Sequence, residues 1–231
     1  MKGKKIFAVC LIGCWLILCL SGCYGAQKKW VSKMNQEFKE DTFTYTGAEP
    51  GELGAHADIA NMSSEKYPDQ VVRVKKSGGQ FTTNYNFIRY REDINSYFDD
   101  YFSEYFDCGI IAGYNPSDEQ AEYTPIRDYS LSAYMDEKVS CNRVHLKLFY
   151  ENEVPDEQAM TESLLQIIKD QGEAVDLYIE VYNCALSENP PKGSIVKIYC
   201  AYMKAPGRID YIYTDVSGGG EKVFLVENME I

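Results

Sequence analysis

Few side chains in this 231-residue chain are equipped to do chemistry, and most of them stand alone. Cys23 is the best placed. Ser21 and Gly22 come just before it, after an uncharged, mainly apolar run from Ile6 to Leu20. A thiol preceded by small residues is an accessible nucleophile, and the bond before it is open to a peptidase. The other candidates are weaker. Only two histidines occur, His56 and His145. His56 has Asp58 nearby in an irregular stretch, and two residues do not complete a metal site. His145 has no serine, cysteine or carboxylate partner fixed by spacing, and it reads as a surface residue. Gly218-Gly219-Gly220 lacks the lysine and the following helix of a phosphate loop. Cys108, Cys141, Cys184 and Cys200 show no C-x-x-C spacing, so neither a zinc knuckle nor a redox motif is indicated. They allow two disulfides in an exported chain, or buried free thiols beside apolar strands, and both readings stay open. No catalytic set, metal site or cofactor is expected.

Met1-Lys2-Gly3-Lys4-Lys5 is a positive start, and the fifteen-residue apolar run follows it. With small residues before a cut site, these are the marks of a secretory signal peptide. The run is short of the roughly 20 apolar residues a membrane-spanning helix needs. Leu20-Ser21-Gly22-Cys23 resembles the bacterial lipobox. That resemblance implies cleavage between Gly22 and Cys23 and a diacylglyceryl group on the Cys23 thiol, with fatty acids such as palmitate. It places the chain on the outer face of the cell membrane. Each buried methylene contributes about 0.8 kcal/mol, so two acyl chains hold where one is marginal.

Without residues 1–22 the chain loses three lysines and no acid, and its formal charge moves from −12 to −15. So acidic a surface excludes nucleic acid as a partner and disfavours electrostatic docking on anionic lipid. Tyrosine is abundant, with nineteen residues against two tryptophans.

The elements that must position these groups follow from periodicity. Trp30 to Lys39 predicts a helix, with Trp30, Val31, Met34 and Phe38 on one side. Phe43 to Thr46 predicts a strand that Gly47 ends. Gly47 to Gln70 reads as a long loop with a short helix near Ser63. Val71–Lys75 and Phe81–Tyr90 predict a hairpin around Lys76-Ser77-Gly78-Gly79. Ile94, Tyr97, Phe98, Tyr101, Phe102, Tyr105 and Phe106 form one apolar stripe at helical spacing. Gly109 to Tyr114 reads as a strand, and Asn115 to Asp128 as a linker. Ser130 caps a short helix, Val144 to Tyr150 alternates as a strand, and Pro155 to Gln171 is a helix stopped by Gly172. Three or four strands close the chain, around Leu177–Tyr182, Val196–Tyr202, Ile209–Val216 and Val223–Val226.

The expected fold is therefore α+β, with a mixed or mainly antiparallel sheet and two principal packed helices. A strand–helix–strand pattern in each half suggests two related α/β lobes. The expected division is a signal peptide at 1–22, a tether at 23–29, lobes at 30–115 and 129–231, and a linker at 116–128.

Glu37-Phe38 before Phe43-Thr44-Tyr45-Thr46-Gly47, then Ser64-Glu65-Lys66-Tyr67-Pro68, Val71-Val72-Arg73-Val74, Asn84-Tyr85 and the acidic-aromatic helix carry a second resemblance. Over residues 37–108 the chain is similar to a family of lipoproteins of clostridial-type Gram-positive bacteria. The lipobox fits that family. The likeness implies lipid anchoring and brings no activity or catalytic residue. The expected function is a lipid-anchored binding or interaction module facing wall polymer, glycan or surface proteins. Tyr178, Tyr182, Tyr199, Tyr211 and Tyr213 lie on strands that can be neighbours and are the candidate binding surface. The alternatives are an envelope hydrolase acting on cell-wall material through paired carboxylates and an accessory subunit of a membrane complex.

Overall fold

The computed structural model describes residues 29–49, 59–77, 79–116, 122–215 and 222–231. Gly22, Cys23, the signal and the tether up to residue 28, His56, Asp58 and the Gly218–Gly220 turn lie outside the described residues. The fold is α+β with two sheets, mostly antiparallel. The chain divides into two units, 1–89 with 122–129 and 90–121 with 130–231.

The first unit starts with α1 (29–37). Its sheet holds β1 (Phe43–Glu49), β2 (Ile59–Ser64), β3 (Val72–Ser77), β4 (Gln80–Thr83) and β6 (Thr124–Pro125) in the order β1-β2-β3-β4-β6, antiparallel throughout. Trp30, Met34 and Phe38, from α1 and the turn after it, are buried in one core with Phe43, Ala60, Met62, Val72, Val74 and Tyr85. The strand β2 replaces part of the expected loop and the short helix near Ser63. Ala60, Met62 and Ser64 point inward and alternate with half-buried neighbours. Small and polar residues have low strand preference, so the pairing with β1 and β3 decides this segment. Gly47 does not end β1; the register shifts there and the strand runs on to Glu49.

The division falls inside α2 (Tyr85–Ser103), which begins within the segment expected to be a hairpin strand. The hairpin itself forms, with Ser77 opposite Gln80, but its second strand stops at Thr83. Of the predicted stripe, Ile94, Phe98, Phe102 and Phe106 are buried, while Tyr97 is exposed and Tyr101 and Tyr105 are half-buried. These tyrosines flank the stripe and touch each other, with the Tyr101 and Tyr105 hydroxyls 3.1 Å apart.

The second unit adds β5 (Gly109–Tyr114), α3 (Leu131–Lys138), β7 (Asn142–Phe149), α4 (Glu157–Gln171), β8 (Val175–Tyr182), β9 (Ile195–Met203), β10 (Arg208–Asp215) and β11 (Lys222–Glu230). The strand order is β11-β10-β9-β8-β7-β5, and only β7–β8 is parallel, joined through α4. Asp156 caps α4 by accepting a hydrogen bond from the Ala159 N–H, and Gly172 ends the helix at φ 61°. Val144, Leu146, Leu148, Leu177, Ile179, Val181, Tyr199, Ala201 and Ile212 are buried on one sheet face. The helices pack on this face: Phe98 of α2 stacks on Tyr114, the Tyr114 hydroxyl donates to the Lys138 carbonyl of α3, and Glu157 of α4 pairs with Lys197.

The division differs from the one expected. The greater part of α2, with β5, belongs to the second unit, and the expected linker supplies β6 to the first. Among the described residues the first sheet has no parallel pair and no crossover helix, so the two units are not repeats of one lobe.

Candidate functional site

Paired residues in neighbouring strands point to the same side of a sheet. The registers therefore define the face of the second sheet that, among the described residues, carries none of its unit's helices. One row across it runs Gly113, His145, Tyr178, Cys200, Tyr213, Phe224. A second runs Asp176, Tyr202, Tyr211, Glu227. A third runs Ile111, Lys147, Glu180, Ile198, Asp215, Lys222. Beyond these, Phe149 and Tyr182 stack at 5.0 Å and are buried. The β8–β9 connection covers that end, where Leu186 would meet a Cβ on Gly109 at 3.1 Å.

The aromatic residues of the first two rows form a contiguous patch. Tyr202 stacks on Tyr211 at 5.3 Å, Tyr211 meets Tyr213 at 5.5 Å, and Tyr213 meets Phe224 at 5.7 Å. The ammonium of Lys222 lies 4.4 Å from the Tyr213 ring centre. Tyr178 is 38% exposed and stands edge-to-face with His145 at 4.8 Å. Small Cys200 separates Tyr178 from Tyr213 within the row. The two tyrosines are thus two strand spacings apart, about 9.5 Å.

Beside Tyr178 lies a recess of about 290 Å³ lined by Asn115, Arg143, Val144, His145, Asp176 and Tyr178. Its lining mixes apolar surface from Val144 and Tyr178 with polar side chains, and the charges of Arg143 and Asp176 balance. Arg143 Nε is 3.7 Å from Asp176 Oδ2, a loose contact that leaves donors and acceptors on both side chains unused. Arg143 sits at φ 62°, where the β7–β8 register slips between Asn142 and Val144. A non-glycine residue held left-handed stores strain, a frequent feature of ligand sites. His145 Nε2 is covered and lies 3.4 Å from Glu180 Oε2, without a well-directed hydrogen bond. The Tyr182 hydroxyl donates to the same Glu180 oxygen at 2.6 Å. Burial, then the Glu180 charge, pushes the Tyr178 hydroxyl up, so it stays protonated at neutral pH.

Of the predicted tyrosines, the structure brings Tyr178, Tyr211 and Tyr213 together on the open part of this face. Tyr182 shares the face at its covered end. Tyr199 is a correction: it points to the helix side and is 0% exposed. A one-residue step along β9 reverses the face, and the alternating Tyr199–Tyr202 stretch allows either choice. Its place is taken by Tyr202. The sequence reading missed Arg143, Asn115 and Asp176, because only the β5–β7–β8 pairing makes them neighbours. The periodicity did put His145 opposite Val144 and the leucines.

The four thiols are free. Burial pushes Cys108, Cys141 and Cys200 up, Cys141 to about 12, which makes them poor nucleophiles at neutral pH. Among the described residues no group of three or more His, Cys, Asp or Glu side chains is placed to hold a metal ion. No helix among them is long and apolar enough to cross a membrane. Comparison with known proteins finds no matching family model, no matching curated protein and no matching solved structure.

Proposed function

We propose that the chain is a lipid-anchored binding module of the outer membrane face, and that the helix-free face of the second sheet binds envelope oligosaccharide. Anchoring rests on the Leu20-Ser21-Gly22-Cys23 lipobox, with Cys23 as the acylated residue. Binding rests on one observation: the exposed Tyr178 ring borders a recess lined by planar polar groups from Asn115, Arg143, His145 and Asp176. Sugars present apolar ring faces and outward hydroxyls, and this combination offers an aromatic surface with paired donors and acceptors. The balanced Arg143–Asp176 couple suits a neutral sugar better than a strongly charged ion. The span from Tyr178 to Tyr213 fits two linked sugar rings.

Thermal unfolding against wall-glycan fragments, muropeptides, other oligosaccharides and divalent cations tests this reading. A ligand at a hundred times its Kd adds about 2.7 kcal/mol of stability. A glycan should raise the midpoint, and Tyr178→Ala should weaken binding about fivefold, as the loss of ~1 kcal/mol of aromatic contact requires. A flat panel up to millimolar glycan overturns the ligand class and moves the face to a protein partner. Turnover of the glycan that disappears in Asp176→Asn replaces binding with hydrolysis.

A further inference from the structure

The two edges of the second sheet are treated differently. At β5, the outward N–H groups of Ala112 and Tyr114 are taken up by side chains of α2. Asp99 Oδ1 accepts from Ala112 N at 2.6 Å, and Asn95 Oδ1 accepts from Tyr114 N at 2.9 Å. That edge is closed to another strand. At the opposite edge, β11 pairs with β10 and is the last strand in the order. It is nine residues long and exposed or half-buried along its whole length. Val223, Phe224 and Met229 are 43%, 49% and 38% exposed. Long edges are usually blunted by charge, proline, a bulge or a covering element, because their free backbone groups recruit another strand. β11 slips in register against β10 and holds Asn228 at φ 50°, but its first five residues carry only Lys222 as a charge.

The charge along β11 is segregated. Lys222 stands at its beginning, Glu227 and Glu230 towards its end. Beside a second β11 in antiparallel orientation, the basic end of each strand meets the acidic end of the other. In parallel orientation like meets like. We infer that β11 is a self-association edge, where a second copy of this chain adds its own β11 antiparallel and continues the sheet across a two-fold axis. The added strand supplies partners for the outward backbone groups of β11 and covers Val223 and Met229. The inference does not depend on what the sheet face binds. A single added strand buries less than a standard interface, so the dimer is a reversible one.

Light scattering on the full chain in detergent, from 1 to 200 μM, tests it. The wild type should move towards twice the monomer mass as concentration rises. Lys222→Glu should abolish the dimer, and the compensating triple variant Lys222→Glu/Glu227→Lys/Glu230→Lys should restore it. Rescue separates lost pairing from lost folding, since a misfolded strand does not recover through charge reversal at its other end. A photo-crosslinking residue at position 224 should join two copies within residues 222–230. A monomer at every concentration, failure of the triple variant to restore a dimer that Lys222→Glu removes, or crosslinks only to other proteins or outside β11 would each overturn the inference.

Discussion

Replacing Asp41 by alanine leaves four donors without their acceptor. In the native chain its carboxylate accepts from the Thr42 N–H at 2.7 Å, the Lys66 N–H at 3.1 Å, the Tyr85 hydroxyl at 2.8 Å and the Ser64 hydroxyl. These groups come from the turn before β1, the end of β2 and the start of α2, so one side chain that is 8% exposed ties three segments. Burial pushes its pKa up, but the bonds from Ser64, Tyr85, Lys66 and Thr42 outweigh burial and hold it below the ordinary carboxylate value. The sign follows directly. With the folded pKa below the unfolded value of about 3.9, the contribution is complete above that pH and is lost as pH falls through the lower folded value. Asp41→Ala should cost about 3 kcal/mol in denaturant unfolding of the first unit. Asp41→Asn should flatten the fall in stability below pH 4 relative to wild type.

Arg143 makes the opposite case. Its φ of 62° favours glycine, and its partner contact with Asp176 is solvent-exposed and long. Exposed pairs of this kind add little stability. Arg143→Gly should therefore leave the second unit unchanged or stabilise it by up to about 1 kcal/mol, while glycan affinity falls. Chemical unfolding and ligand titration of the same variant check both halves. A fall in both would mean that Arg143 serves structure alone.

At the scale of elements, α4 shows what local sequence decides. Asp156, the apolar set Met160, Leu164, Ile167 and Ile168, and Gly172 specify start, face and stop without outside help. A Cβ on Gly172 would meet nothing within 4 Å, so Gly172→Ala has only conformational strain to bear. It should cost about 1 kcal/mol and lower the melting midpoint by roughly 2–4 °C by calorimetry. The strands β7 to β10 were equally legible, since aliphatic residues alternate with tyrosines and charges. β2 was not, because Ala60 and Ser64 fill inward positions under close packing and carry no strand signal of their own. The start of α2 was hidden for a related reason. Tyr85, Asn86 and Phe87 suit a strand as well as a helix, and Asn86 is fixed by the Thr124 hydroxyl and Arg127 carbonyl far along the chain. The candidate site was half legible. Alternation places His145, Tyr178, Tyr211 and Tyr213 on strand faces, but strand order and register, which no local pattern encodes, decide that Arg143 meets Asp176 and that Tyr199 turns inward.

For the whole molecule, the chain is not cut where its composition changes. The polar stretch between β5 and α3, which looks like a spacer, contributes β6 to the first sheet and buries Thr124 there. Tyr123 of that stretch receives the Lys75 ammonium 3.7 Å from its ring centre, and Asp128 pairs with Arg89. The second unit in turn draws most of α2 and β5 from before this stretch.

This interleaving has a consequence for how the polypeptide is made. A nascent chain emerges from its N-terminus, and domains ordinarily close as soon as their last strand is out. Here the first unit cannot close when β4 appears. It must wait through α2 and β5 until residues 122–129 arrive, with the edge of β4 bare and Asn86 without Thr124. By then the opening segments of the second unit are already in the open. The order of synthesis therefore gives the two units a shared vulnerable interval, which ends only when about 130 residues have emerged and the first of them can lock.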